Sequence, residues 1–581
     1  MKPYVLPIPK KYELKTGTFD LTNGAVSVAD DLDVRVVKAA VKLKDVLSQK
    51  TASYHLFTRG NGNITIAKNA ELSSEEYTLE ITENAIRIVG GDDAGCFYGI
   101  GTLLQILETT EGTAVPALVI NDKPDMKHRG FYHDATRGRI PTVDGVKRLV
   151  DRLAKLKKNS LQLYVEHTFD FEQFKSTTTK DNILTAEELL EIDQYCYDNF
   201  IDFIPSIATF GHLFELLSKP EFSHLCELEN HKPEYHFWRE RMPHHTINPS
   251  DPESFEVVCS LIDQYLPLFR SQYFNICCDE TFDLCKGRNA GKDEAQLYIS
   301  FVSKIIKHVK AAGKTVMMWA DIALDHPELL PQIPDDTVLL NWWYEANPDP
   351  KRIEKVAQQN KTQVVCPGTV SWYRLMEKPS QSQPNIENMI KYGYQNGAWG
   401  LLNTNWGDYG HPAHVECALL GTALGACLSW NVSTVQNTDY DNAVSRLVYG
   451  VKENILPLIR ELGDLQGSAS WYTMFYWCHG RDVAVFKEDN ETITKNIERA
   501  NEIIEILSAI DDAAGTLKPI IVAAKGIVLF NKAALLIKSG EGTTDEWRQE
   551  INAWFEEYKV CWLKDSKYSE LDVIKEFINK F

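Results

Sequence analysis

From residue 126 to residue 430 the sequence alternates short apolar runs with longer amphipathic ones, and no other feature limits the fold as much. The apolar runs are HRGFYHDA, SLQLYVE, IDFIPSIA, YFNICC, KTVMMWA, TVLLNWW, TQVVCPG and GAWGLLNT, each with the length and composition of a strand. Between them fall helical patterns. In GVKRLVDRLAKLKK, Val146, Leu149, Val150, Leu153 and Leu156 recur at helical spacing and leave the basic residues outside. LTAEELLEIDQYCYDN is a second such segment, and a third starts at the cap signal in NPSDPESFEVVCSLIDQYL. Eight strands each followed by a helix predict a closed (β/α)8 TIM barrel rather than an open doubly wound sheet.

Two flanking units follow from changes in pattern. Residues 1–125 carry the strand-like pieces NITIAK, EYTLEI and AIRIVG and then the helical stretch DDAGCFYGIGTLLQILE. Tyr77, Leu79 and Ile81 alternate so as to cover one sheet face, which predicts a small α/β domain without chemistry of its own. Residues 431–581 show helical patterns only, as in TITKNIERANEIIEILSAI with Ile493, Ile497, Ala500, Ile504 and Leu507. An α-helical domain is expected there, lying against the barrel or forming the contact of a homodimer. Three units suit 581 residues at roughly 150–200 residues per domain.

Composition narrows the partners. A formal net charge of −20 works against nucleic acid, which needs clustered Lys and Arg. No run resembles a membrane span, and MKPYVLPIPKKYELK has no apolar signal core, so the chain as given reads as cytoplasmic with no membrane partner. The 12 cysteines, several inside apolar patterns, read as reduced core thiols. His411 with His414, His244 with His245, and Cys277 with Cys278 lack the paired spacing of a zinc site, and no glycine-rich phosphate loop is present. Neither metal nor cofactor is expected.

A barrel carries its chemistry at the C-terminal ends of its strands. Those ends here bear Asp134, Glu166, the pair Asp279 and Glu280, Trp319 with Asp321, the run NWWYE and the run NWGD. Asp134 is better read as structural, and Trp342 and Trp430 as core. The adjacent pair is the telling feature. Two-carboxylate glycosidases hold their groups roughly 5–9.5 Å apart on opposite sides of the bond to be cut. Neighbours in sequence have Cα atoms only about 3.8 Å apart and diverging side chains, so they cannot flank one anomeric carbon. Such a pair suits a substrate that brings its own nucleophile, as a 2-acetamido sugar does with its carbonyl oxygen.

NICCDETFDLCKGR resembles the Asp-Glu signature of family 20 glycoside hydrolases, the β-N-acetylhexosaminidases. KHRGFYHDATRGRIP is similar to the family's first barrel strand, DDAGCFYGIGTLLQIL to the helix of its preceding small domain, and NPSDPESFEVV and NTNWGDYGH to further family segments. The resemblance covers roughly residues 75–430 and extends more weakly to the helical part, as in three-domain bacterial members. It implies an exo-acting enzyme that removes terminal GlcNAc or GalNAc from an oligosaccharide or glycoconjugate, with retention through an oxazolinium intermediate.

Carried onto this sequence, the resemblance makes Glu280 the general acid and base and Asp279 the residue that orients the acetamido group. Arg129 takes the part of the arginine that grips sugar hydroxyls. Trp319, Trp343 and Trp406 wall the terminal sugar, Trp372 adds to that wall, and Asp408 accepts bonds from distal hydroxyls. A tyrosine hydroxyl polarises the acetamido carbonyl. Tyr373 and Tyr344 both qualify, and Tyr373 is the better placed, after the seventh strand. His212 sits in PSIATFGHLFE, where Ser206 and Ala208 replace acids common in the family. The segment from Ser206 to Asn248 is long for a strand–helix connection and is a candidate active-site loop. Two alternatives stand beside this reading: a retaining barrel glycosidase with a protein nucleophile such as Glu345, and a carbohydrate-binding protein without turnover.

Overall fold

The structure is a computed structural model that describes residues 2–175, 179–229, 244–480 and 482–581. Its first unit is a seven-stranded sheet. The strands are β1 (Lys11–Asp20), β2 (Ala25–Val28), β3 (Leu56–Arg59), β4 (Ile64–Lys68), β5 (Tyr77–Ile81), β6 (Ile86–Gly90) and β7 (Ala114–Asp122), in the spatial order β1-β7-β5-β6-β4-β2-β3. Helices α1 (Val34–Thr51) and α2 (Asp93–Thr109) pack with it through an apolar core that includes Leu43, Leu47, Leu79, Ile88 and Leu103. Gly99 lets α2 lie close to the sheet, since a Cβ there would meet Ile88 Cγ2 at 2.5 Å.

The barrel closes as expected from eight parallel strands: β8 (His128–Asp134), β9 (Ser160–Val165), β10 (Asp202–Ile207), β11 (Tyr273–Asn275), β12 (Thr315–Trp319), β13 (Val338–Trp342), β14 (Gln363–Cys366) and β15 (Gly400–Asn405). Registers such as Gly130 with Ser160 and Leu401 with Arg129 join the first strand to its two neighbours. Part of the barrel interior is polar and internally satisfied. The Asn275 amide donates to Gln162 at 2.9 Å and the Asn341 amide to Gln363 at 3.1 Å, which meets the requirement that buried polar groups find partners.

The fourth strand departs from expectation. The run YFNICC predicts a strand through Cys278, yet β11 ends at Asn275. Cys277 and Cys278 instead take left-handed backbone conformations, with φ of 55° and 63°, and Glu280 does so at 47°. Each such non-glycine residue costs on the order of 1–3 kcal/mol and persists only where its surroundings enforce it. Here Asn275 Oδ1 accepts the Cys277 N–H at 2.9 Å, and the Cys277 carbonyl accepts the Trp319 N–H at 3.0 Å. The chain therefore coils at the barrel mouth and presents Asp279 and Glu280 inward.

After the barrel the described residues form helices, among them Leu419–Trp430, Trp471–Cys478, Asn490–Ser508, Leu517–Ser539 and Asp545–Asp565. Leu419–Trp430 contacts β8 and β15 and shares one apolar core with the later helices. Leu517–Ser539 is long and apolar enough to cross a membrane by length and composition, but two-thirds of its most apolar window is buried inside the protein. Among its partners, Trp547 and Trp554 donate their indole N–H groups to the Leu529 and Val522 carbonyls at 2.8 and 2.7 Å. It is a core helix of the third unit.

Candidate active site

A cavity of about 1010 Å³ opens at the C-terminal mouth of the barrel, with Asp279 and Glu280 in its wall. Asp279 is buried and Glu280 partly so, their side chains 10% and 27% exposed. His212 stands against both. Its Nε2 lies 3.3 Å from Asp279 Oδ2 and 3.3 Å from Glu280 Oε2, at ion-pair distance and off the line of a good hydrogen bond to either. The Gly211-His212 turn makes this approach possible, because a Cβ on Gly211 would meet the Asp279 carbonyl oxygen at 2.4 Å. His212 has a φ of 58°, and its backbone N–H donates to His245 Nδ1 at 2.9 Å. Burial works against an imidazolium at His212, but the Asp279 and Glu280 carboxylates outweigh it and raise the pKa to about 10.

Asp321, at the end of β12, fixes the acid from behind. Its Oδ2 accepts the Glu280 backbone N–H at 2.9 Å. Burial and the neighbouring Asp279 carboxylate raise the Asp321 carboxyl well above the usual carboxylate range. Ligand atoms of His212, Asp279 and Glu280 lie within 4.8 Å of one another, the spacing of a small cation site. A cation there would have to displace the proton that His212 holds to about 10, and it would occupy both carboxylates.

On the other side of His212, Arg137 ties three barrel loops together. It donates to Asp408 Oδ1 at 2.8 Å, lies 3.5 Å from Glu166 Oε1, and reaches to 3.4 Å of His212 Nδ1. Its guanidinium is also 5.2 and 5.1 Å from the ring centroids of Tyr164 and Trp406. Asp134 holds this corner. One oxygen accepts the N–H groups of Thr136 and Arg137 at 2.9 and 3.0 Å, and the other accepts the Gly407 N–H at 2.9 Å, so the structural reading of Asp134 stands. Trp372 and Trp406, nearly buried, form an aromatic wall with Trp342 and Tyr344. Trp342 stacks on Tyr344 with centroids 5.1 Å apart, and the Trp406 indole donates to the Tyr344 hydroxyl at 2.7 Å. Tyr373 lines the same cavity with a φ of 47°, and burial together with Asp408 pushes its phenol up to about 12.

Of the residues expected at the site, the structure brings Asp279, Glu280, His212, Tyr344, Trp372, Tyr373, Trp406 and Asp408 around one cavity. Three others lie elsewhere. Arg129 stands near the start of β8, at the opposite end of the barrel, because a strand that carries its last residues to the mouth carries its first ones to the base. There it donates to both oxygens of Glu75, to the Lys157 and Met126 carbonyls and not to the pocket, which makes it a clamp between the small domain and the barrel. Trp343 turns outward, with the Arg352 guanidinium 5.3 Å from its ring, and its neighbour Trp342 takes the place assigned to it. Trp319 is fully buried behind the wall, 5.7 Å from Trp406 and 5.2 Å from Tyr132.

Arg137, not Arg129, lines the cavity. It follows the end of the same strand, where a barrel places its site, and only its position relative to the strand end distinguishes it from Arg129. Ser206, standing where acids are common, meets the Tyr132 hydroxyl at 2.9 Å and Cys277 Sγ at 3.4 Å instead. The long connection after β10 contributes His212 and Phe214 to the cavity, and its portion 230–243 lies outside the described residues.

Barrel, indole-walled cavity and paired carboxylates together have the layout of the barrel-type glycoside hydrolases. Residues 126–443 match the glycosyl hydrolase family 20 catalytic domain and residues 2–123 match domain 2 of that family; the chain belongs to glycosyl hydrolase family 20. It is 25% identical over 391 residues to the lacto-N-biosidase of Bifidobacterium bifidum, across 65% of this chain and 31% of that one. It is 29% identical over 286 residues to a beta-hexosaminidase of Porphyromonas gingivalis, across 43% of this chain and 36% of that one. The chain thus spans about a third of the length of these two curated relatives. Its fold is shared with the chitobiase of Flavobacterium johnsoniae at a TM-score of 0.65 and 18% identity, across 96% of both chains.

Proposed function

We propose that this chain is an exo-acting β-N-acetylhexosaminidase that removes a terminal GlcNAc or GalNAc with retention, using the substrate's own acetamido oxygen as nucleophile. One observation carries the reading. Asp279 and Glu280 lie on the same side of the cavity, joined through one His212 nitrogen at 3.3 Å from each. Of the other carboxylates lining it, Glu166 and Asp408 are both engaged by Arg137, and Glu488 of the helical domain accepts the Ser468 N–H and hydroxyl at 3.0 and 3.1 Å. No lining acid among the described residues stands free to attack the anomeric carbon from the far face, as a protein nucleophile must. Glu345, the acid that a protein-nucleophile mechanism would call on, is exposed and does not line the cavity.

In this reading Glu280 protonates the leaving oxygen. Asp279 accepts the acetamido N–H, aims the carbonyl at C1 and stabilises the oxazolinium ion. Glu280 then takes a proton from the water that opens the ring. His212, beside both carboxyl groups, braces Asp279 in place. Tyr373 keeps its proton and donates to the acetamido carbonyl. Arg137 and Asp408 bind hydroxyls of the terminal sugar, whose apolar face lies on Trp406 and Trp372.

Hydrolysis of matched aryl β-glycosides of GlcNAc, GalNAc and glucose tests the proposal. Both acetamido sugars should be released and glucose retained. Comparable turnover of the glucoside would mean that the nucleophile belongs to the protein.

A further inference from the structure

The outer wall of the cavity comes from outside the barrel. Tyr472, Tyr476 and Lys487 of the helical domain line it alongside the barrel residues. Depth separates the two sets. Trp372 and Trp406 are 4% and 7% exposed, whereas Tyr472 is 37% exposed and Lys487 lies in solvent at the rim. The cavity is thus closed at the indole end and opens past Tyr472.

This wall is bonded to the catalytic loops. The Tyr472 N–H donates to the Tyr373 carbonyl at 3.2 Å, and the Tyr476 and Tyr409 hydroxyls meet at 2.8 Å. The Tyr472 ring lies 5.3 Å from that of Tyr373, 5.2 Å from that of Tyr409 and 4.5 Å from that of Tyr476. At about 1010 Å³ the cavity sits at the upper end of the range for small-molecule pockets and has room beyond one pyranose. A terminal sugar seated against the indoles must lead the rest of its substrate out over Tyr472.

We propose that the helical domain builds the leaving-group subsite, taking the exo-hexosaminidase reading above as its premise. Tyr472 and Tyr476 receive the apolar C–H face of the sugar that carries the leaving oxygen, and Lys487 donates to its hydroxyls. Binding energy gained there is available to the transition state, so an aglycone that is itself a sugar is cleaved in preference to one too small to reach the wall. The third unit thereby becomes a determinant of substrate choice as well as a packing element.

Two substrates with the same terminal sugar test this: β-N-acetylglucosaminyl fluoride, whose leaving group cannot reach Tyr472, and the β-1,4-linked disaccharide of two GlcNAc units. Tyr472→Ala should lower the ratio of kcat/KM for disaccharide over fluoride about tenfold, and Tyr472→Phe, which keeps the ring, should preserve it. Melting midpoints close to wild type would show that both variants fold. An equal loss on both substrates would mean that Tyr472 acts by bracing Tyr373 and would overturn the subsite, as would no loss on either. Wild-type protein inert on both substrates and on the matched GalNAc glycoside would overturn the hexosaminidase reading and the subsite with it.

Discussion

Arg137 donates to Asp408 at 2.8 Å, joining the loop that follows the first barrel strand to the loop that follows the eighth. The contact crosses the seam where the barrel closes, so the residues proposed to hold the distal hydroxyls also hold each other until substrate arrives. Arg129, eight positions earlier, makes an equally tight set of bonds at the other end of the strand, and the two arginines should separate experimentally. Arg137→Ala should cut kcat/KM of the folded protein on the order of a hundredfold, because it removes charged hydrogen bonds to the sugar, and should also lower stability, because Glu166 and Asp408 lose their cation. Arg129→Ala should affect stability alone. It leaves Glu75 without its cation and the buried Lys157 and Met126 carbonyls without this donor, so unfolding should become easier by about 3 kcal/mol while the folded fraction turns over normally. Denaturant melts and kcat/KM on both variants check this, and a folded but inactive Arg129→Ala would reverse the assignment.

The carboxylate pair carries a second prediction, which uses leaving-group ability to tell its members apart. Glu280→Gln should lower turnover on an alkyl or sugar leaving group by roughly 10²–10⁴, the usual range for loss of a general acid, and much less on a leaving group that departs unprotonated. Asp279→Asn should lower turnover on both, because it weakens the orientation and charge balance of the acetamido group whatever departs. Rates measured for each variant across aryl leaving groups of graded acidity give the two patterns. A steep dependence in Asp279→Asn and a flat one in Glu280→Gln would exchange the roles.

Much of this is legible in the sequence. The eight strands stand where their apolar runs lie, because a strand inside a barrel is recorded locally in its composition. The acid pair was legible for the same reason, as charges that end an apolar run. The left-handed turn at Cys277 and Cys278 was not, since FNICC has the composition of a longer strand and the bonds that bend it come from Asn275 and from Trp319 on the next strand. Trp342 and Trp343 illustrate another limit. Adjacent residues face apart, and only the exit path of the chain decides which of two identical side chains meets the cavity. Tyr472 lies nearly two hundred residues from Glu280, and no local pattern in WYTMFYWC marks it as a wall of the site.

Beneath the site, Glu377 offers a pH-dependent stability that catalysis does not use. It is buried where the barrel meets the third unit, accepting from Ser382 Oγ at 2.9 Å and from the Gly421 N–H at 2.9 Å. Burial raises its carboxyl from 4.5 to about 8, and the two hydrogen bonds offset only part of that. Between those values the folded chain keeps a proton that the unfolded chain has released, so folding takes up a proton. The stability linked to this proton is complete below about pH 4.5 and is lost progressively as pH rises through about 8. Glu377→Gln should remove the dependence. Its amide oxygen can accept the Gly421 N–H while its NH₂ donates to Ser382, whose hydroxyl is free to turn. Denaturant melts at intervals from pH 4.5 to pH 8 should show wild-type stability falling by up to about 1.4 kcal/mol per pH unit more than that of the variant. Parallel curves across that window would mean that Glu377 is ionised in the fold, with its charge carried by the Ser382 and Gly421 donors alone.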